Sequence, residues 1–103
     1  MRHVLVKHKA AKNAPETVTR SREEACLRAL EARDKMLAGA DFDAIVTEYS
    51  DEKGAADRRG SLGSVERAEV APPFADAAFE LSIGQMSDVV ETDFGFHLIL
   101  RSE

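Results

Sequence analysis

The stretch that decides the fold is Val89-Val90-Glu91-Thr92-Asp93-Phe94-Gly95-Phe96-His97-Leu98-Ile99-Leu100-Arg101. Its opening residues favour a pleated strand, Asp93-Phe94-Gly95 is a tight-turn signal, and strict alternation follows. The pattern predicts a strand over 89–92 and a closing strand over 96–101. Phe96, Leu98 and Leu100 face one way, and His97, Ile99 and Arg101 the other, so both faces of the last strand carry apolar side chains. A hairpin is an antiparallel pair, which makes the sheet mostly antiparallel.

Working outward, the N-terminus offers a third strand. His3, Leu5 and Lys7 alternate with Val4, Val6 and His8, predicting a strand over 3–8. It begins almost at Met1, as expected for a minimal protein or for a domain cut from a longer chain. Residues 9–18 lack a period and contain Pro15, so they read as a loop. Ser21 stands three residues before Glu24, a capping-box spacing that starts a helix over 22–38. Cys26, Leu27, Leu30 and Leu37 form its expected apolar stripe, and Gly39 follows it as a stop. Asp41 caps a second helix, whose Phe42, Ile45, Val46 and Tyr49 recur at helical spacing. Ser50 to Ser64, punctuated by Gly54, Gly60 and Gly63, reads as a loop with a short strand near 61–65. Pro72 and Pro73 introduce a third helix, with Pro73 at its first position and Phe74, Ala77, Ala78 and Leu81 as its apolar face. The order of elements implies an α+β architecture and one domain over residues 1–103.

Composition narrows the function. The chain has 103 residues, 44% of them apolar and 32% charged, which excludes a disordered chain. A net charge of −5 argues against nucleic acid as the main partner. The single cysteine, Cys26, excludes an intrachain disulfide and four-thiolate metal sites; its place on a helix stripe suits a small buried hydrophobe better than a nucleophile. No apolar run reaches membrane-spanning length, and no signal segment is visible, so a cytoplasmic location is expected.

His3 and His97 open the first and last strands. If those strands are neighbours, both imidazoles meet on one face. Spacing alone leaves open two satisfied sheet histidines or a site pair. A zinc site needs three or four ligands. Only Asp51, Glu52 or His8 could join, and none has knuckle or helical spacing, so no metal is expected. The Gly54–Gly63 loop lacks the spacing of a phosphate-binding loop, and no serine sits in a nucleophile elbow. Leu62, Val70 and Phe74 fit either core or the floor of a small pocket.

Several segments, in order along nearly the whole chain, resemble the parvulin family of peptidyl-prolyl cis–trans isomerases. These are His3-Val4-Leu5-Val6-Lys7-His8, Thr19-Arg20-Ser21-Arg22-Glu23-Glu24-Ala25, Tyr49-Ser50-Asp51, Gly60-Ser61-Leu62-Gly63, Pro73-Phe74-Ala75-Asp76-Ala77-Ala78-Phe79, Gly84-Gln85-Met86-Ser87 and Thr92-Asp93-Phe94-Gly95-Phe96-His97-Leu98-Ile99-Leu100-Arg101. The chain is most similar to the eukaryotic-type members that favour phosphorylated Ser/Thr-Pro sites.

The resemblance implies a four-stranded, mostly antiparallel sheet surrounded by helices. It implies that His3 and His97 form the paired histidines of the site, supported by the Thr92 hydroxyl. Leu62, Val70 and Phe74 take the positions that hold the substrate proline ring. Val70 replaces the usual methionine and Ala71 a common glutamine, which makes the cradle roomier. Glu52 stands where the best-known phosphate-directed members carry cysteine and others aspartate, with Asp51 as a substitute in space. Lys7 matches the phosphate-gripping strand lysine. The arginine pair of the next loop is missing; Lys9 and Lys12 are the nearest cations, and a solvated basic loop is the plain alternative. The implied function is cofactor-free isomerisation of X-Pro bonds by stabilising the twisted amide, with an acidic or phosphorylated residue preferred before proline. The alternative is a non-catalytic proline-peptide-binding or chaperone module. The expected partners are proline-containing peptides or proteins, not nucleic acid or membrane, and the expected state is a monomer.

Overall fold

The computed structural model describes residues 1–102; Glu103, the last residue of the expected domain, lies outside the described residues. Among the described residues the sheet has three strands: β1 (Arg2–Val6), β2 (Val90–Thr92) and β3 (Gly95–Leu100). Their order is β1-β3-β2, all antiparallel. The hairpin forms as its sequence predicts, with Thr92 opposite Gly95 and Asp93-Phe94 at the tip. Gly95 is required there, because a Cβ on it would lie 2.4 Å from the carbonyl oxygen of Val6.

The expected fourth strand over 61–65 is corrected to a single bridge, Arg2 to Ser61. Two hydrogen bonds bracket it, His3 N–H to the Gly60 carbonyl at 2.9 Å and Leu62 N–H to the Met1 carbonyl at 2.9 Å. Gly60 and Gly63 adopt φ of +73° and +68°, which turns the chain off the sheet on either side, so the ladder cannot propagate. β1 is likewise shorter than the 3–8 reading. Lys7 N–H leaves the ladder and donates to Asp51 Oδ2 at 2.8 Å.

Register explains the two faces. Val4 pairs with Leu98 and Val6 with Phe96, and these four form one buried layer. Over it pack α1 (Arg22–Leu37) and α2 (Phe42–Tyr49). The Ser21 capping box is present, and α2 buries Phe42, Ile45, Val46 and Tyr49 as read from spacing. The α1 stripe is different from the expectation. Ala25, Ala29 and Ala32 are fully buried, while Leu27 and Leu37 are 66% and 64% exposed. A helix lying close on a sheet needs small side chains between the two, and alanine at i, i+4 and i+7 supplies them.

The opposite sheet face carries His3, Leu5, His97 and Ile99. It is covered by α3 (Pro72–Glu80), whose Phe74 and Ala78 pack with Met1, Leu81 and Ile99. Pro72 and Pro73 occupy the first two helical positions, where no backbone N–H is needed. A 3-10 turn (Arg67–Glu69) leads into α3. The second face is therefore closed at one end by α3 and left open at the other, beside the two histidines.

Candidate active site

β1 and β3 bring the two histidines together. His3 lies opposite Ile99 and His97 opposite Leu5, so the imidazoles are diagonal neighbours on one face. Their rings stack at 5.4 Å between centroids, with an interplanar angle of 20°. Nδ1 of His3 is 3.2 Å from Nδ1 of His97. Both residues are 5% exposed.

From this pair a hydrogen-bonded row runs both ways. His97 Nε2 is 2.7 Å from Thr92 Oγ1, which also accepts the Phe94 N–H at 3.1 Å. His3 Nε2 is 2.5 Å from Glu52 Oε2. The other carboxylate oxygen, Oε1, accepts from Arg58 Nη2. Glu52 is thus the carboxylate that faces the imidazoles. Asp51 has a different task, since its Oδ2 accepts from Lys7 N–H and from Arg20 Nη1 at 2.5 Å and so ties the loop to β1.

The electrostatics follow from these contacts. Hydrogen bonding to His3, with the charge of His3 and Arg58 behind it, holds the Glu52 carboxyl below the usual carboxylate range despite its partial burial. Burial pushes the His97 imidazole down to about 3, with the neighbouring His3 acting in the same direction. His97 is therefore neutral at ordinary pH. With Glu52 ionised, His3 Nε2 must be the donor to it. A neutral His3 then accepts from His97 Nδ1–H, and Thr92 donates to His97 Nε2. A protonated His3 reverses both bonds. One proton on His3 thus sets the direction of the whole row.

Phe74 stands edge-on to both imidazoles, at 5.7 Å from His3 and 5.2 Å from His97 between centroids. Beside these rings is a hollow of about 330 Å³, walled by Leu62, Val70 and Phe74 together with His3, His97, Thr92 and Glu52. Sequence reasoning missed other parts of its wall: Leu5, Asn13, Glu69 and Phe94. Leu5 was findable, because it shares the strand face of His3 and Lys7. Asn13, Glu69 and Phe94 belong to a loop and turns, where no period marks an orientation.

The basic residues divide. Lys7 lines the hollow, and its Nζ donates to the carbonyls of Lys12 at 3.3 Å and Asn13 at 3.1 Å. Lys12 and Lys9 are exposed and do not line it. Lys12 Nζ instead sits 5.3 Å above the centre of the Phe94 ring, which does. Among the described residues no group of three or more His, Cys, Asp and Glu is placed to hold a metal ion. Nor is any helix among them long and apolar enough to cross a membrane.

Comparison with known proteins gives one consistent result. The family model for the rotamase, PPIC-type PPIase domain matches residues 3–103. The chain is 40% identical over 111 residues to the peptidyl-prolyl cis-trans isomerase Pin1 of Malus domestica, covering 97% of this chain and 89% of that protein. It is 39% identical over 104 residues to the putative peptidyl-prolyl cis-trans isomerase dodo of Drosophila melanogaster, covering 96% of this chain and 62% of that protein. It therefore spans less than two thirds of the fly relative's length. Among solved structures it superimposes on the peptidyl-prolyl isomerase ESS1 from Candida albicans with a TM-score of 0.92 at 28% identity, over 99% of this chain and 60% of that one.

Proposed function

The chain belongs to the parvulin, PPIC-type family of peptidyl-prolyl cis–trans isomerases, and on that premise we propose that its hollow seats the proline of an X-Pro peptide and lowers the barrier to rotation without a covalent step. Amide resonance sets that barrier at roughly 18–20 kcal/mol. The planar amide is the charge-separated form, with its oxygen most negative. The twisted amide loses that separation. An apolar surround and a nearby anion both disfavour the planar form more than the twisted one, and this difference accelerates rotation.

The residues divide this work. Leu62, Val70 and Phe74 grip the proline ring, which fixes one side of the bond while the preceding carbonyl swings. Glu52, an anion held against His3, supplies the field beside that carbonyl. His3, His97 and Thr92 keep the wall rigid and its donors aimed. A carboxylate is a weak nucleophile, which agrees with a mechanism that forms no bond to the substrate. A five-decade acceleration needs about 7 kcal/mol, a sum that distributed contacts can supply. For the residue before proline, Lys7 at the wall, and Lys12 and Lys9 on the same loop, favour an acidic or phosphorylated side chain. Lysine cannot form the bidentate fork of arginine, so the preference is modest.

The observation that carries this reading is the edge-on approach of Phe74 to both imidazoles, 5.7 and 5.2 Å away, at the floor of an open hollow. The test is exchange spectroscopy on an Ala-Pro peptide with substoichiometric protein. Cis–trans exchange speeds up if the chain turns the bond over. Binding without faster exchange would replace the proposal with that of a peptide-binding module.

A further inference from the structure

We propose that Arg58 is a positioning residue: by holding Oε1 of Glu52 it aims Oε2 at His3 and fixes the carboxylate end of the hydrogen-bonded row. The kinetic part of this inference rests on the isomerase reading; the structural part does not. In sequence Arg58 is one charge in a polar loop. In the fold it is tightly placed. Its Nη2 donates to Glu52, its Nη1 reaches the Lys53 carbonyl at 3.3 Å, and its guanidinium lies across Gly54, where a Cβ would meet Nη1 at 3.1 Å.

The loop beneath it is anchored. Arg58 N–H bonds to the carbonyls of Gly54 at 3.3 Å and Ala55 at 3.2 Å, Ser61 N–H bonds to the Arg58 carbonyl at 2.9 Å, and His3 N–H bonds to the Gly60 carbonyl at 2.9 Å. Arg58, Glu52 and His3 are therefore fastened to one another through both backbone and side chain. A glutamate has three side-chain torsions, and without a second anchor its free oxygen swings toward water. The titratable and charged groups that share the hollow or the loop with Glu52 are His3 from β1, Lys7 just beyond it, His97 from β3, Glu69 from the 3-10 turn, and Lys53 and Arg58 on its own loop. One partner sits at each carboxylate oxygen of Glu52, His3 at Oε2 and Arg58 at Oε1.

Arg58→Met and Arg58→Lys test the assignment. The Glu52 carboxyl carbon is titrated by NMR in the wild type and both variants, and kcat and KM are followed against pH with an Ala-Pro peptide. In Arg58→Met, Glu52 is expected to titrate at higher pH, with the acid limb of kcat/KM moving alongside it. Any loss should fall on kcat, because Arg58 does not line the proline hollow. Arg58→Lys should restore part of the shift. Glu52 titrating at the same pH in Arg58→Met as in the wild type overturns the inference, as does a loss carried in KM alone. A wild-type protein that fails to accelerate exchange would defeat the isomerase reading, while the Glu52 titration would still decide the role of Arg58.

Discussion

His3 and His97 stand two residues out of register on adjacent antiparallel strands, and that diagonal offset stacks their rings at 5.4 Å with the two Nδ1 atoms 3.2 Å apart. The offset leaves the outer nitrogens free to reach Thr92 on one side and Glu52 on the other. A single choice of register thus assembles a row of four side chains from three separate parts of the chain.

Neutral His97 makes stability depend on pH. Its folded-state pKa, about 3, lies below the ordinary value of 6.5. The unfolded chain therefore binds a proton that the folded chain refuses, and stability falls as pH drops from about 6.5 toward 3. The slope approaches about 1.4 kcal/mol per pH unit. Glu52, also lowered, adds to the loss in the carboxylate range. Urea unfolding from pH 7 to 4.5 should show the decline, and His97→Gln should flatten it. An equal slope in the variant would place the titrating group elsewhere.

Phe74 serves both core and hollow, so its replacement should separate stability from turnover by size. Phe74→Ala removes a ring that is 3% exposed and should cost about 3–5 kcal/mol. Phe74→Leu keeps most of the volume and should cost less than about 1.5 kcal/mol, yet it loses the flat edge beside the imidazoles and the proline ring. A fall in kcat/KM of about tenfold, or about 1.4 kcal/mol, is expected for Phe74→Leu with the melting temperature little changed. Full activity in that variant would remove the aromatic floor from the mechanism.

Gly60 and Gly63 form a matched pair for measuring how closely the site loop is pressed on β1. A Cβ at Gly60 would lie 2.5 Å from the His3 carbonyl oxygen and 2.9 Å from Val46 Cγ2, whereas at Gly63 nothing lies within 4 Å. Both have positive φ, so each alanine substitution costs about 1–2 kcal/mol for backbone strain. Gly60→Ala adds the collision and should be clearly the less stable in thermal melts, with His3 displaced in NMR spectra. Similar losses at the two positions would mean that the loop yields without cost.

Much of this was legible because period and pairing are local. The alternation in 96–101 and 3–8 gives His3 and His97 a common face once their strands pair, and helical spacing gives all four core residues of α2. Two features were not local. The burial of α1 was misread because three leucines outrank three alanines in hydrophobicity, while the close approach of the helix to the sheet reverses that order. The fourth strand is overcounted because Leu62 and Val65 stand out from a polar loop, and the positive φ at Gly60 and Gly63 that ends the pairing is a conformation, not a pattern. Arg58 was invisible for a similar reason: no spacing in a charged loop reveals which of its cations folds back onto Glu52.

Ala29 is fully buried between helix and sheet, and Leu30 next to it is 40% exposed. Ala29→Leu must force the helix off the sheet and should cost about 1–3 kcal/mol by overpacking. Leu30→Gln should stay within about 0.5 kcal/mol of the wild type. If the order of the two losses were reversed in denaturant melts, the leucine stripe would be the buried one after all.

Lys7 lines the hollow but its ammonium is shared with two loop carbonyls, and Lys12 reaches the wall through the Phe94 ring. Carbonyls leave the Lys7 charge intact, so a substrate carboxylate is still attracted, and the exposed Lys9 and Lys12 add about 0.2–1 kcal/mol each. Glu-Pro peptides should therefore be turned over about two- to fivefold faster than Ala-Pro peptides at low salt, and phosphoserine-Pro peptides by at least as much. Lys9 and Lys12 are exposed while Lys7 is buried, so the part of the ratio owed to Lys9 and Lys12 should shrink in about 1 M salt, where the screening length is about 3 Å, and the part owed to Lys7 should persist. Lys7→Gln should lower the ratio without slowing Ala-Pro turnover to the same extent. Equal turnover of Glu-Pro and Ala-Pro at low salt would reduce the basic loop to a solvated surface.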